Sequence, residues 1–250
     1  MIESRARASA APGAPVLSVI IPALQVDLEL RRCIDSVRLA LPPAQREIVV
    51  VLPPSQLQAA GALEDVRVVP ETRRGVYGAM NDGVAASRGS YLYFLGKDDV
   101  VLPTMREAME LLATSSPSVL FCDVYWGDEG VRSGRPWKWM VLFYNVCQQG
   151  IIYSRKSVLR HGPFLRRLRV QADHLLNIKI LWDSSVGPVQ YLRKPLAWYA
   201  ATGLSFSARD ATFYRIHPAV VRRYVGPAVA WIWSRYSDVR RGPPKKGRIA

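Results

Sequence analysis

The sequence predicts an α/β protein, with a mainly parallel central sheet flanked by helices and a helical extension at its C-terminal end. Three observations predict it. Short β-branched or aromatic runs recur at 16–21, 48–52, 66–69, 91–95 and 119–125. Stretches of helical spacing separate them. The runs at 48–52 and 91–95 are apolar or aromatic at every position, as in strands covered on both faces. With 250 residues, 49% of them apolar, the chain suits one well-cored domain with an extra segment.

The elements follow in order. Residues 1–14 read as a disordered leader. Val16–Ile21 is a first buried strand ending at Pro22. Asp27 caps a helix whose apolar positions are Leu30, Cys33, Ile34, Val37 and Leu41, stopped by Pro42-Pro43. Ile48–Leu52 and Val66–Val69 are further strands. Gly75 to Ser87 is helical, with Gly89 as its cap. Tyr91–Leu95 forms a strand running straight into Gly96-Lys97-Asp98-Asp99; Pro103 opens a helix to about Ala113, and Val119–Tyr125 is another strand. After residue 130 the alternation weakens: Gly150–Ser154 extended, Asp173–Trp182 helical, Val189–Ala200 extended, and Phe213–Val239 as two helices split near Gly226-Pro227.

A net charge of +14 implies an anionic partner. From Ala211 to Ala250 there are nine Lys or Arg against one acid, and Arg155, Lys156, Arg160, Arg166, Arg167 and Arg169 form a second cluster. No nucleic-acid reading motif accompanies this charge, so nucleic acid is not the expected partner. Trp231, Trp233 and Tyr236 among Arg222, Arg223, Arg235, Arg240 and Arg241 suit either an interfacial helix on anionic lipid or a terminal helix packed on the core. Cys33, Cys122 and Cys147 are too scattered for a disulfide framework or a metal site, which implies reduced thiols in a cytosolic protein. No apolar run approaches the roughly 20 residues needed to span a bilayer.

In parallel sheets ligands bind beyond the carboxyl ends of strands, which singles out the residues after them. Asp98 and Asp99, adjacent carboxylates after a buried strand, suit Mg²⁺ or Mn²⁺ bridging phosphate oxygens; the plain alternative is a polar turn. Asp173, opening a helix, suits a general base or an ordinary helix cap. Trp137, Trp139 and Phe143 suit core packing or sugar stacking. His161, His174 and His217 show no metal spacing and read as surface or capping residues.

The stretch Arg74-Gly75-Val76-Tyr77-Gly78-Ala79-Met80-Asn81-Asp82-Gly83, then Ala85 to Gly89, the Tyr91 strand and Gly-Lys-Asp-Asp, resembles the family 2 glycosyltransferases. In that family a G-x-Y-x-A-x-N-x-G helix precedes a strand and a metal-binding acidic motif. Leu17 to Pro22 resembles the family's first strand, Cys147-Gln148-Gln149 its C-H-Q element, Ala172-Asp173-His174 its base motif, and Thr202-Gly203-Leu204-Ser205 a late Gly-x-Ser element. The resemblance spans roughly residues 16 to 215. It implies a GT-A fold over 15–210, with a donor half at about 15–125, an acceptor half at about 126–210 and basic helices and tail over 211–250.

It further implies inverting, metal-dependent hexosyl transfer from a nucleotide-diphosphate sugar, uridine diphosphate first; the basic tail motivates a lipid-linked or polysaccharide acceptor. The place of work would be the cytoplasmic face of the plasma membrane. By the same resemblance Pro22, Gln25, Arg74, Gly75, Asn81, Lys97 and Asp98 contact the donor. Asp98 and Asp99 hold the cation, Asp173 is the base, and Gln149, Trp137 and Ser205 face the acceptor. The chain departs from the pattern where an Asp usually reads the pyrimidine (here Leu52-Pro53-Pro54-Ser55), at Arg73-Arg74, at Gly96 in place of the first acid, and at Gln25. These departures leave open a degenerate, non-catalytic binding protein, or a donor phosphate met by Arg73 and Arg74.

Overall fold

The computed structural model describes residues 16–183, 185, 187–201 and 210–240, the last five without their side chains. The expected leader, Ser205 with its Gly-x-Ser element, and the basic tail beyond 240 lie outside the described residues.

Among the described residues nine strands form one sheet in the order β3-β2-β1-β4-β8-β6-β9-β5, with β7 paired to β6. β1 (Leu17–Pro22), β2 (Arg46–Leu52), β3 (Arg67–Pro70) and β4 (Tyr91–Phe94) pair in parallel. β8 (Ile151–Ser154) runs against both β4 and β6 (Val119–Trp126), so β6 resumes the common direction, and β9 (Val189–Tyr199) pairs parallel to it. The short β5 (Val100–Val101) and β7 (Val131–Arg132) are antiparallel to β9 and β6. The mainly parallel sheet is as the sequence predicts.

The all-apolar strands are explained by two cores, one on each face. In β1, Leu17, Val19 and Ile21 enter the core under α1 (Leu28–Ala40) and α4 (Met105–Ser115), while Ile20 enters the other. β2 divides alike, Ile48, Val50 and Leu52 against Val49 and Val51. Successive side chains on a strand point to opposite faces, so a doubly covered strand is apolar on both sides except where a polar group is paired, as Ser18 is with Glu47. The second core lies under α3 (Val76–Ala86), α5 (Arg155–His161), α6 (Ala172–Trp182), α7 (Ala211–Tyr224) and α8 (Pro227–Arg240); α2 is a single turn at Leu57–Ala60.

Asp27 caps α1 as expected, its carboxylate accepting from Leu30 N at 3.0 Å. Gly89 does not cap α3. That helix ends at Ser87 in an extended conformation, and Gly89 is needed for close approach instead: a Cβ there would lie 2.6 Å from Ser18 N. Asp173 is not a cap either. Gln171, with φ +70°, holds the cap position of α6, and Asp173 is the second helical residue. The three histidines are buried, not superficial. Burial disfavours a charged imidazole and depresses all three, His217 to about 3. No described helix is long and apolar enough to cross a membrane.

Candidate active site

The carboxyl ends of β1 and β4 lie side by side, so Pro22, Gln25 and Gly96 to Asp99 share one rim of the sheet. The two acids there are not equivalent. Asp99 is fully buried and its carboxylate is spent on three donors: Gly96 N at 2.9 Å and Gln149 Nε2 at 2.8 Å on one oxygen, Ala200 N at 3.0 Å on the other. That takes three of about four acceptor positions on a carboxylate. Burial pushes Asp99 up to about 6, with the charge of Asp98 adding to the rise. Asp98 is half-buried, and its carbonyl accepts from Arg32 Nη2 at 2.8 Å.

Gly96 explains the missing first acid of the motif. A Cβ at this position would lie 2.6 Å from Asp99 Oδ2 and 2.8 Å from Asp98 Oδ1, so both carboxylates fold over space that only glycine leaves vacant. Among the described residues no three His, Cys, Asp or Glu side chains converge as a metal site. Mg²⁺ is commonly held by only one or two carboxylates together with substrate phosphates. Asp98 fits that smaller share. Asp99, expected as a second ligand, is better described as the brace of the loop.

Other expected donor contacts are redistributed. Lys97 is committed to α1, with Nζ 2.6 Å from Asp27 and also paired to Glu29. The Lys97 ammonium holds Asp27 down at about 2. Gln25 is exposed and donates to Asp27 at 2.9 Å. Asn81 does not present its amide to a ligand: it is buried, donating to Phe164 O and accepting from Phe164 N, both at 2.9 Å. Arg73 lies 3.6 Å from Asp82, which also accepts from the backbone and hydroxyl of Thr72. Arg74 stands exposed beside Gly75, whose φ of +95° turns the chain into α3.

Asp173 is buried, and it reaches the same region through an irregular segment. Its Oδ1 accepts from Tyr77 Oη at 2.7 Å, and its Oδ2 accepts from Asn145 Nδ2. Gln149 links that segment to Asp99, while its carbonyl accepts from Tyr93 Oη at 2.7 Å. Cys147, pushed up to about 12 by burial, feels the charges of both Asp99 and Asp173. Gln149 therefore organises the acidic loop, where an acceptor contact was expected.

Asn145 also lines a cleft of about 300 Å³ walled by Trp126, Trp137, Met140 and Tyr144, with Arg132 and Arg135. Core packing does not claim these tryptophans: Trp137 and Trp139 are 61% and 59% exposed. Arg132 covers Trp126 at 3.8 Å and Arg135 covers Trp137 at 4.8 Å. Tyr77, Asn145 and the two arginines were not assigned roles from the sequence. Tyr77 sits inside the quoted motif, but nothing in residue spacing reveals a partner 96 positions away.

The doubly covered sheet, its acidic rim and a buried carboxylate near an aromatic cleft fit a glycosyltransferase of GT-A architecture, and the comparisons with known proteins show that class. The chain belongs to glycosyl transferase family 2, which it matches over residues 18–172. A "PGL/p-HBAD biosynthesis glycosyltransferase" of Mycobacterium tuberculosis is 30% identical over 228 residues, covering 84% of this chain and 86% of the relative. Among solved structures, Staphylococcus aureus TarS 1-349 in complex with UDP-GlcNAc superposes with a TM-score of 0.69 at 14% identity, over 92% of this chain and 76% of that one. The Pyrobaculum calidifontis mannosyltransferase PcManGT, in complex with GDP-Man and Mn²⁺, gives 0.57 at 17% identity, over 93% and 77%.

Proposed function

We propose that this glycosyltransferase moves a hexose, with inversion, from a nucleotide-diphosphate sugar to a lipid-linked or polysaccharide acceptor. The observation that carries this reading is the link between the acidic rim and Asp173. Gln149 and Asn145, four residues apart in one segment, hold Asp99 and Asp173 respectively. In the proposed step the acceptor hydroxyl gives its proton to Asp173 as its oxygen bonds to the anomeric carbon. The bond from that carbon to the diphosphate breaks on the opposite face, and its electron pair leaves with the diphosphate. Asp98 would hold Mn²⁺ or Mg²⁺, which supplies charge stabilisation for the departing diphosphate. Arg74 and the N-terminus of α3 offer further positive potential at the rim. Trp137 supplies a flat face for the acceptor.

The base is left to experiment. Pro53 and Pro54 stand where the family reads a pyrimidine, and Gln56 uses its Oε1 to hold Val26 N at 3.2 Å. Binding of UDP, GDP and their sugars with Mn²⁺ should raise the melting temperature, since a ligand at 100 times its Kd adds about 2.7 kcal/mol. Asp98→Asn should abolish the Mn²⁺-dependent part, and Asp173→Asn should keep binding but lower kcat by roughly 100-fold or more. Should no nucleotide bind, a non-catalytic member is the better reading; the bracing role of Asp99 favours that second reading. Work at the cytoplasmic face of an anionic membrane is proposed from the exposed residues Trp231, Ile232, Arg222, Arg223 and Arg235.

A further inference from the structure

A buried charge is normally matched by a cation or a metal. Asp173 is 6% exposed, and among the described residues no Lys or Arg forms an ion pair with it. Neutral donors surround it instead, and they are ordered. Tyr153 Oη donates to Asn177 Oδ1 at 2.8 Å; Asn177 Nδ2 donates to Asn145 Oδ1 at 3.0 Å; Asn145 Nδ2 donates to Asp173 Oδ2. From the other side Tyr77 Oη donates to Asp173 Oδ1 at 2.7 Å. Every dipole in the chain is directed at the carboxylate, and bonds in such a chain polarise one another.

The titratable groups facing Asp173 are all uncharged at neutral pH. Tyr77 of α3, Tyr153 of β8 and Cys147 of the connecting segment are raised, mainly by burial, with the charge of Asp173 adding to the effect. His174, its neighbour on α6, is lowered by burial. The phenols therefore remain donors throughout the physiological range. An ion pair would hold the carboxylate equally well but would place a cation against the oxygens that are to receive the proton; neutral donors fix its orientation without one. Asn145, which holds Oδ2, also lies on the wall of the aromatic cleft.

We propose that Tyr77 and Asn145 are positioning residues that orient Asp173 for proton removal, with Asn177 and Tyr153 behind Asn145 fixing its amide. The inference rests on Asp173 as base. Tyr77→Phe and Asn145→Ala are expected to lower kcat by roughly 10- to 100-fold and to leave KM for the donor unchanged. In both, the acidic limb of the kcat–pH profile should move upward by about one unit as a donor to the charged form is lost. Asn145→Ser, which keeps a donor, should recover part of both effects.

A limb that stays in place in Tyr77→Phe overturns the proposal, as does a loss confined to KM. That variant keeps its ring against Phe164, 5.5 Å away, and decides the matter alone if Asn145→Ala does not fold. Asp173→Asn separates the two levels. If it retains full kcat, the base reading itself fails; if it is inactive while Tyr77→Phe keeps the parental profile, only the positioning role fails.

Discussion

The two ends of the sheet reach order by different routes. From β1 to β4 each strand hands over to a helix or helical turn, and parallel ladders join the strands. Between Trp126 and Gln149 there is little regular structure, and side chains do the joining: Asp123 holds Gly134 N at 2.8 Å, Tyr191 holds Asp123 at 2.7 Å, and Trp233 of α8 donates to Leu142 O at 2.8 Å. In the proposed function the first region would form the donor-side rim, and the second would supply the aromatic cleft and Asn145, which holds Asp173 of α6. A regular frame holds one fixed substrate class, and an irregular segment pinned by long-range bonds can vary its acceptor without disturbing that frame.

The C-terminal helices are where this contrast is most breakable. His174 and His217 lie between α6, α7 and α8, with ring centroids 5.7 Å apart, and Trp233 stacks on His217 at 3.8 Å. Both imidazoles are lowered by burial, His217 to about 3, with the charge of His174 a further cause there. Below about pH 6.5 the unfolded chain takes up protons at these positions and the folded chain does not, so their stabilisation is present above that pH and is lost as pH falls. Asp99, raised to about 6, acts in the opposite sense below that pH. The isolating measurement is therefore a difference. Urea unfolding of the parent and of His217→Phe should diverge by about 1.4 kcal/mol per pH unit below 6.5, reaching about 2 kcal/mol by pH 5. Parallel stability curves would show that His217 is protonated in the fold.

The strands and most helices were legible because their signals are local. Asp27 at its cap, Pro42-Pro43 after α1 and the apolar runs within β1, β2 and β4 each report on a few neighbouring residues. The acidic loop was legible as a place but not as a geometry. Nothing in the run Gly96-Lys97-Asp98-Asp99 shows that Ala200 and Gln149 converge on Asp99, or that Lys97 turns to α1. Asn81 misled because its motif position suggests a ligand contact, whereas its partner, the backbone of Phe164, is 83 residues away. The histidines misled because a polar residue on a helix reads as solvated until the layer covering it is known.

A smaller effect tests whether the irregular region is the acceptor's. Trp137 has open indole surface and a covering Arg135, and a sugar or an apolar group laid on it would remove about 50 Å² from water, worth roughly 1.3 kcal/mol. Trp137→Ala should raise KM for the acceptor about tenfold and leave kcat and the donor KM unaltered, the pattern of a contact made equally in ground and transition states. A change in donor KM instead would move this cleft to the donor side and erase the division between the two regions.

The smallest expected effect concerns α8, which divides its own residues. Trp233 is 4% exposed and tied to Leu142 O, while Trp231 and Ile232, 67% and 55% exposed, look outward with Arg235. The core-packing reading holds for Trp233, and the exposed Trp231, Ile232 and Arg235 leave an outer face for the interfacial one to be tested. Only the outer face is available to a bilayer. Binding to vesicles of mixed zwitterionic and anionic lipid should weaken in Trp231→Ala by about 1 kcal/mol or less, because the ring is already partly covered in solution. The same vesicles should release the protein as salt rises, since exposed arginines supply much of the attraction. Equal retention of parent and Trp231→Ala at low salt would assign the contact to charge alone, and no retention of either would remove the membrane from the proposed function while leaving the catalytic rim untouched.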